Sequence, residues 1–162
     1  MKQELKESRH TEQQDNSIIG FSKKTGYEFL SNFYRSTVAY EGILYPTVEH
    51  AYQASKSSSK QTRELIKKAE TPYSAKRLGK SIELRQGWAE EKINIMKLLI
   101  HEKFENPFIR WKLKDTAPLS LINENRWNDK FWGVCNGVGE NHLGKILMEV
   151  REEIILVDLR EV

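Results

Sequence analysis

STVAYEGILYPTVEHAYQASK, residues 36–56, changes its structural period half-way along. Residues 36–45 form two β-rich runs around Glu41-Gly42, the pattern of a hairpin closed by a tight turn. Pro46 and Thr47 punctuate the chain, and a helix is expected to start there. Glu49 falls in its first turn, where the helix dipole favours an anion. Glu49 and Lys56 are seven residues apart, close to two full turns, so both face nearly the same way. They lie roughly 10 Å apart along the axis. That is too far for an i,i+4 ion pair, but both can line one pocket, with Tyr52 and Gln53 between them. Val48, Ala51 and Ser55 point elsewhere, where a core wants small or apolar groups. The alternative is a solvated face with scattered charges.

Upstream, residues 1–16 are polar and charged and read as a frayed arm. SIIGF, residues 17–21, reads as a short strand. Downstream, helices dominate. One is expected over residues 61–70, with Leu65, Ile66 and Ala69 on its apolar side. Thr71-Pro72 reads as an N-cap followed by proline at the first helical position, and Gly79 falls where that helix should end. Residues 88–104 are expected to form the longest helix, with Ile93, Met96, Ile100 and Phe104 as its core stripe. Asn106-Pro107 ends it and opens a short helix through Trp111. Residues 119–122 read as a strand. A last helix is expected over residues 142–154, with Leu143, Ile146, Leu147 and Val150 inward. The fold class is therefore α+β: a mostly helical single domain over residues 17–162 with a few short strands.

Bulk properties exclude several classes. The 162 residues suit one domain large enough to bury a core without staples. A net charge of +3 does not by itself imply nucleic-acid binding. The lone Cys135 excludes an internal disulfide framework and fits a reducing compartment. No apolar run approaches the roughly 18 residues of a membrane span, and the N-terminus lacks a signal-peptide core. A cytoplasmic location and no membrane association are expected. The four histidines, His10, His50, His101 and His142, lie far apart with no ligand-spaced partner, so no metal site is expected.

Three further stretches carry side chains suited to ligands. EFLSNFYRS, residues 28–36, packs aromatics around Ser31-Asn32, which can stack on a planar base and hydrogen-bond to it, or simply pack a turn. AKRLGK…LRQGW, residues 75–88, places Lys76, Arg77, Lys80 and Arg85 ahead of Trp88, a basic patch suited to phosphate or an ordinary basic surface. RWNDKFWGVCNGVGENHLGK, residues 126–145, holds two tryptophans, Asp129 and four glycines that let backbone approach a ligand. It is neither a Walker loop nor a dinucleotide fingerprint.

Taken in order, EFLSNFY, YPTVEHAYQASK, AKRLGK, FWG and GENHLGKILMEVREEI resemble the YbiA-like N-glycosidase family, or NADAR domain, from about residue 21 to residue 154. The resemblance implies a mainly helical α+β fold. It also implies cleavage of the C–N bond joining a base-like amine to a phosphorylated ribose. In one branch the substrates are ribosylamino-pyrimidine intermediates of riboflavin synthesis. In another they are ADP-ribosyl adducts, including ADP-ribosylated guanine in nucleic acid. Position by position it implies catalytic roles for Glu49, Lys56 and Asp129. Asn32, Phe33 and Tyr34 would wall the pocket, Arg77 would contact phosphate, and Trp88, Trp132 and Gly133 would complete the substrate site. Gly139 and Asn141 would shape the loop before the last helix. Arg35 stands where the family commonly has proline, and residues 134–138 depart from the usual glycine-rich form, so substrate choice is the property these departures touch.

Breaking a ribosyl C–N bond builds positive charge on C1′ and its ring oxygen. A carboxylate stabilises that charge, and an acid protonates the leaving base. Glu49 and Asp129 make a plausible carboxylate pair. Either a carboxylate activates water directly, or Lys56 attacks C1′ and forms a Schiff base that water releases. Neither route needs a metal or another cofactor. The competing class is a module that holds ADP-ribose or NAD without turning it over. The sequence leaves the oligomeric state open.

Overall fold

The computed structural model describes residues 16–160. The arm expected over residues 1–16 lies, but for Asn16, outside them. In chain order the elements are β1 (Ser17–Ile19), a single 3-10 turn (Glu28–Leu30), β2 (Val38–Tyr40), β3 (Ile43–Tyr45), α1 (Val48–Ser55), α2 (Lys60–Lys67), α3 (Pro72–Gly79), α4 (Trp88–Phe104), α5 (Pro107–Asp115), β4 (Ser120–Ile122) and α6 (His142–Arg160). The fold is α+β and mostly helical.

Local chemistry explains where the elements start. β2 and β3 pair antiparallel, with Tyr40 opposite Ile43, and both turn residues, Glu41 and Gly42, have positive φ. That is the turn whose twist matches a two-residue hairpin. Glu41 is held there by an ion pair with Arg63. Four helices open on a side-chain cap, α2 through Ser59, which accepts from the Thr62 N–H. The Thr47 side chain accepts from the His50 N–H, Thr71 from Ser74, and Asn106 from Phe108. Proline follows the cap in α3 and α5.

The centre of the domain is α1, which packs against α2, α3, α4 and the hairpin. All eight of its residues are buried, so it is not a solvated face. Its polar side chains need partners inside the protein. His50 bonds through Nδ1 to Thr47 Oγ1 at 2.8 Å and through Nε2 to the Ala69 carbonyl at 3.1 Å.

Four expectations are corrected. In α4 the core seam is Trp88, Ile95, Met96, Leu99, Ile100, Lys103 and Phe104, and Ile93 is exposed. At 3.6 residues per turn these seven span about half the helix circumference with Lys103 near the middle. A stripe drawn from apolar residues alone is displaced because it steps over a lysine. In α2 only Ile66 is buried, and Leu65, a third of a turn away, points to solvent. Helix α5 runs on from Trp111 to Asp115. The longest helix is α6, which continues past Ile154 to Arg160. Its last turn exposes Leu156, Val157 and Leu159 and is tied down by Asp158, which pairs with Arg110 at 3.0 Å and with Lys114.

β1 pairs in parallel with β4, Ile18 opposite Leu121, joining the start of the domain to the segment before α6. β4 also packs on α6. This brings residues 123–132 over the open face of α1. Among the described residues, no helix is long and apolar enough to cross a membrane.

Candidate active site

A cavity of about 300 Å³ opens on α1, at the small end of the range for ligand pockets. Glu49, Tyr52 and Gln53 of α1 face it, with Lys56 at the helix's C-cap. The opposite wall is Asn123, Glu124, Trp127, Asp129 and Trp132, from the loop between β4 and α6. Ser31, Asn32 and Phe33 close one side, and Lys76 of α3 with Lys80 at its C-cap another.

Glu49 is 6% exposed. Its Oε1 accepts from Gln53 Nε2 at 2.7 Å, and its backbone N–H, free at a helix start, donates to the Asn32 carbonyl at 3.1 Å. Burial pushes the Glu49 carboxyl above the usual carboxylate range; the Gln53 bond, Lys76 and Lys56 oppose that, and Asp129 adds to it. Burial likewise lowers the Lys56 ammonium below the usual lysine range, against the pull of Glu49. The cavity thus holds an acid that keeps its proton longer and an amine that loses its proton sooner. Lys56 Nζ lies 5.5 Å from the centre of the Tyr52 ring.

Asp129 is fixed by its own loop. Its Oδ1 accepts the N–H groups of Phe131 (3.2 Å) and Trp132 (2.9 Å). Its backbone is clamped by the buried Asn125, which accepts from the Asp129 N–H at 3.0 Å and donates to its carbonyl at 2.7 Å. Gly133 follows because a Cβ there would strike the Asn123 carbonyl. Gly139 lies against the Gly133 carbonyl, again with no room for a Cβ. Asn141 spans the loop: its Oδ1 accepts from the Asn123 N–H at 3.0 Å and its Nδ2 donates to the Leu121 carbonyl at 2.9 Å. Gly133, Gly139 and Asn141 shape the loop that carries Asp129 and Trp132 and do not themselves line the cavity.

Tyr34, Arg77 and Trp88 also lie outside the lining. Tyr34 packs on the core near Lys103. Arg77 lines a second cavity of about 380 Å³ that shares Phe33, Lys76, Lys80 and Trp127 with the first. Trp88 is 6% exposed and packs against Tyr52 with the rings tilted, their centres 5.2 Å apart. Its place makes it a support of the Tyr52 wall. Trp88→Ala is therefore expected to cost about 3–5 kcal/mol of stability, measured by denaturant unfolding, whereas Trp88→Phe retains the fold and most activity. An unchanged unfolding midpoint in Trp88→Ala would contradict this packing role.

Trp127 was not singled out from the sequence, although it stands two residues before Asp129. It is 66% exposed and lines both cavities. Lys76 Nζ sits between it and Phe33, 5.4 Å and 6.0 Å from the two ring centres. Among the described residues, no group of three or more His, Cys, Asp or Glu side chains is gathered to hold a metal ion.

The NADAR domain model matches residues 14–155. The chain is 37% identical over 147 residues to N-glycosidase YbiA of Shigella flexneri, covering 88% of this chain and 91% of that protein. It is 40% identical over 135 residues to an N-glycosidase of Nostoc punctiforme, covering 79% and 86%. It is 33% identical over 141 residues to a riboflavin biosynthesis protein of Vibrio vulnificus, covering 85% of this chain and 38% of that protein. The NMR structure of Escherichia coli YbiA superposes with a TM-score of 0.80 at 35% identity, covering 90% of this chain and 89% of the other.

Proposed function

The chain belongs to the NADAR family, and from that premise we propose that it is an N-glycosidase that hydrolyses the C–N bond between a base-like amine and a phosphorylated ribose. The observation that carries the reading is Glu49: a carboxyl buried in a cavity beside Lys56, with its proton affinity raised by burial. A surface needed only for holding a ligand gains nothing from an acid in that environment. Two relatives named as N-glycosidases support the same reaction class.

In this reading the phosphorylated ribose enters over α1. Lys76 and Lys80 face its phosphate, and Asn32, Tyr52 and Trp132 enclose the base and sugar. Asn32 Oδ1 is buried without a hydrogen-bond partner in the protein and suits an amino group of the leaving base. A carboxylic acid gives its proton to the departing nitrogen, and a carboxylate stabilises the positive charge growing at C1′ and the ring oxygen. Glu49 and Asp129 supply these two functions. Water then adds at C1′, directly or after Lys56 has formed and lost a Schiff base with the opened sugar.

Substrates of this form include the ribosylamino-pyrimidine phosphates of riboflavin synthesis, a reading supported by the name of the Vibrio vulnificus relative. The second cavity favours a longer ligand as well. It adds Arg77 and the exposed Tyr73 to the shared lysines, which suits a second phosphate and another planar ring, as in an ADP-ribosyl adduct of guanine. A panel of ribosylamino-pyrimidine phosphates, NAD, free ADP-ribose and ADP-ribosylated guanine, with products separated by mass, decides between them. Turnover of ribosylamines alone assigns the first class. Tight binding of ADP-ribose or NAD with no turnover of any panel member would support the non-catalytic module.

Trp127 is expected to stack on the planar part of the substrate at the mouth shared by both cavities. Base–aromatic stacking is worth about 1–3 kcal/mol, so Trp127→Ala should raise KM roughly tenfold, with kcat and melting temperature retained. A variant with unchanged KM removes Trp127 from the binding surface.

A further inference from the structure

Lys103 is fully buried, with 0% of its surface exposed, in the middle of the core-facing side of α4. Burial alone lowers its pKa to about 7, and no neighbouring charge acts on it. Among the described residues no carboxylate pairs with it. Its Nζ donates to the Ser31 carbonyl at 2.7 Å and sits 5.6 Å from the Tyr34 ring centre and 5.4 Å from that of Phe104. A methionine would fill such a place at lower cost if packing were the only need, because a buried amine must be desolvated.

The single acceptor it reaches explains its use. The Ser31 carbonyl also accepts from the Tyr34 N–H at 3.1 Å, closing the turn Ser31-Asn32-Phe33-Tyr34. Three residues of that turn line the cavity, and the carbonyl of Asn32 holds the N–H of Glu49. Lys103 therefore fastens the core helix to a backbone segment that both walls the pocket and anchors the start of α1. We infer that Lys103 is a positioning residue: its amine fixes the Ser31–Phe33 wall and, through the Asn32 carbonyl, the place of Glu49 in the cavity. The effect on turnover rests on the N-glycosidase reading; the effect on the loop does not.

The test is Lys103→Met, read by steady-state kinetics, thermal unfolding and amide hydrogen exchange. The expected result has three parts. The melting temperature is equal or higher, since a buried unpaired amine is removed. kcat/KM falls by about tenfold to a hundredfold, the scale of a small misplacement of a reacting group. The N–H groups of Tyr34 and Glu49 exchange faster. If Lys103→Met does not fold, Lys103→Gln is read by the same measures. Wild-type kcat/KM, or unchanged exchange at Tyr34 and Glu49, overturns the inference. Loss of folding in both variants also overturns it, because the lysine is then needed for the core itself. If the wild type cleaves no N-glycoside, the functional reading fails and the exchange rates alone decide whether Lys103 holds the loop.

Discussion

Glu49→Gln is expected to lower kcat by roughly 100-fold or more, the usual scale for losing acid–base catalysis, while substrate affinity changes far less. Glutamine preserves the shape that packs beside Gln53 and removes both the negative charge and the transferable proton. The cationic character it would stabilise belongs mainly to the transition state, so the loss falls on kcat rather than on binding. Burial supplies the reason that one carboxyl can do so much here. Beside a buried carboxylate a charge at C1′ is felt more strongly than it would be at the surface. The fold should tolerate the change, because the backbone bond from Glu49 to the Asn32 carbonyl does not involve the side chain. Wild-type kcat in Glu49→Gln would remove the central residue of the proposed site.

Lys56→Arg separates the two chemical routes. Under the Schiff-base route the amine must lose its proton before it attacks C1′, and burial lowers its pKa in that direction. Guanidinium stays protonated at any working pH. Lys56→Arg is then nearly inactive, with a loss of about 1000-fold or more in kcat, since losing a covalent nucleophile removes a whole step rather than a proton relay. Borohydride added during turnover traps a sugar on Lys56 of the wild type, visible as a mass increase on the peptide that carries it. Under the direct-water route no adduct forms, and arginine retains part of the activity because its charge persists. If Lys56→Ala turns over at the wild-type rate, neither route uses this residue.

The sequence revealed those features that local chemistry controls. Thr47, Thr71 with Pro72, and Asn106 with Pro107 each mark a helix start through side-chain and φ preferences within a few residues. The hairpin around Glu41-Gly42 is equally local. The shared direction of Glu49 and Lys56 follows from helical period alone, and both do line the cavity. Features set by distant packing were not legible. The parallel pairing of β1 with β4 joins segments about a hundred residues apart. The rotation of α3 about its axis decides that Lys76 and Lys80, one turn apart, line both cavities while Arg77, a third of a turn from Lys76, lines only the second. Tryptophan is suited to a core or to a ligand platform, and only the tertiary structure shows that Trp88 is buried while Trp127 is exposed at the cavity mouth. Lys103 was hidden for the opposite reason, because a charged residue in an apolar seam reads as the seam's edge.

Cleavage of the bond between base and ribose is read from the balance of its products. Purified protein is incubated with a ribosylamino-pyrimidine phosphate and, separately, with an ADP-ribosylated guanine, and the products are quantified by mass beside Glu49→Gln. The wild type is expected to release free base and the corresponding free ribose phosphate or ADP-ribose in equal amounts from at least one of them, and Glu49→Gln roughly 100-fold less in the same time. Intact substrate recovered from both reactions, with the ligand bound but its C–N bond unbroken, would contradict it.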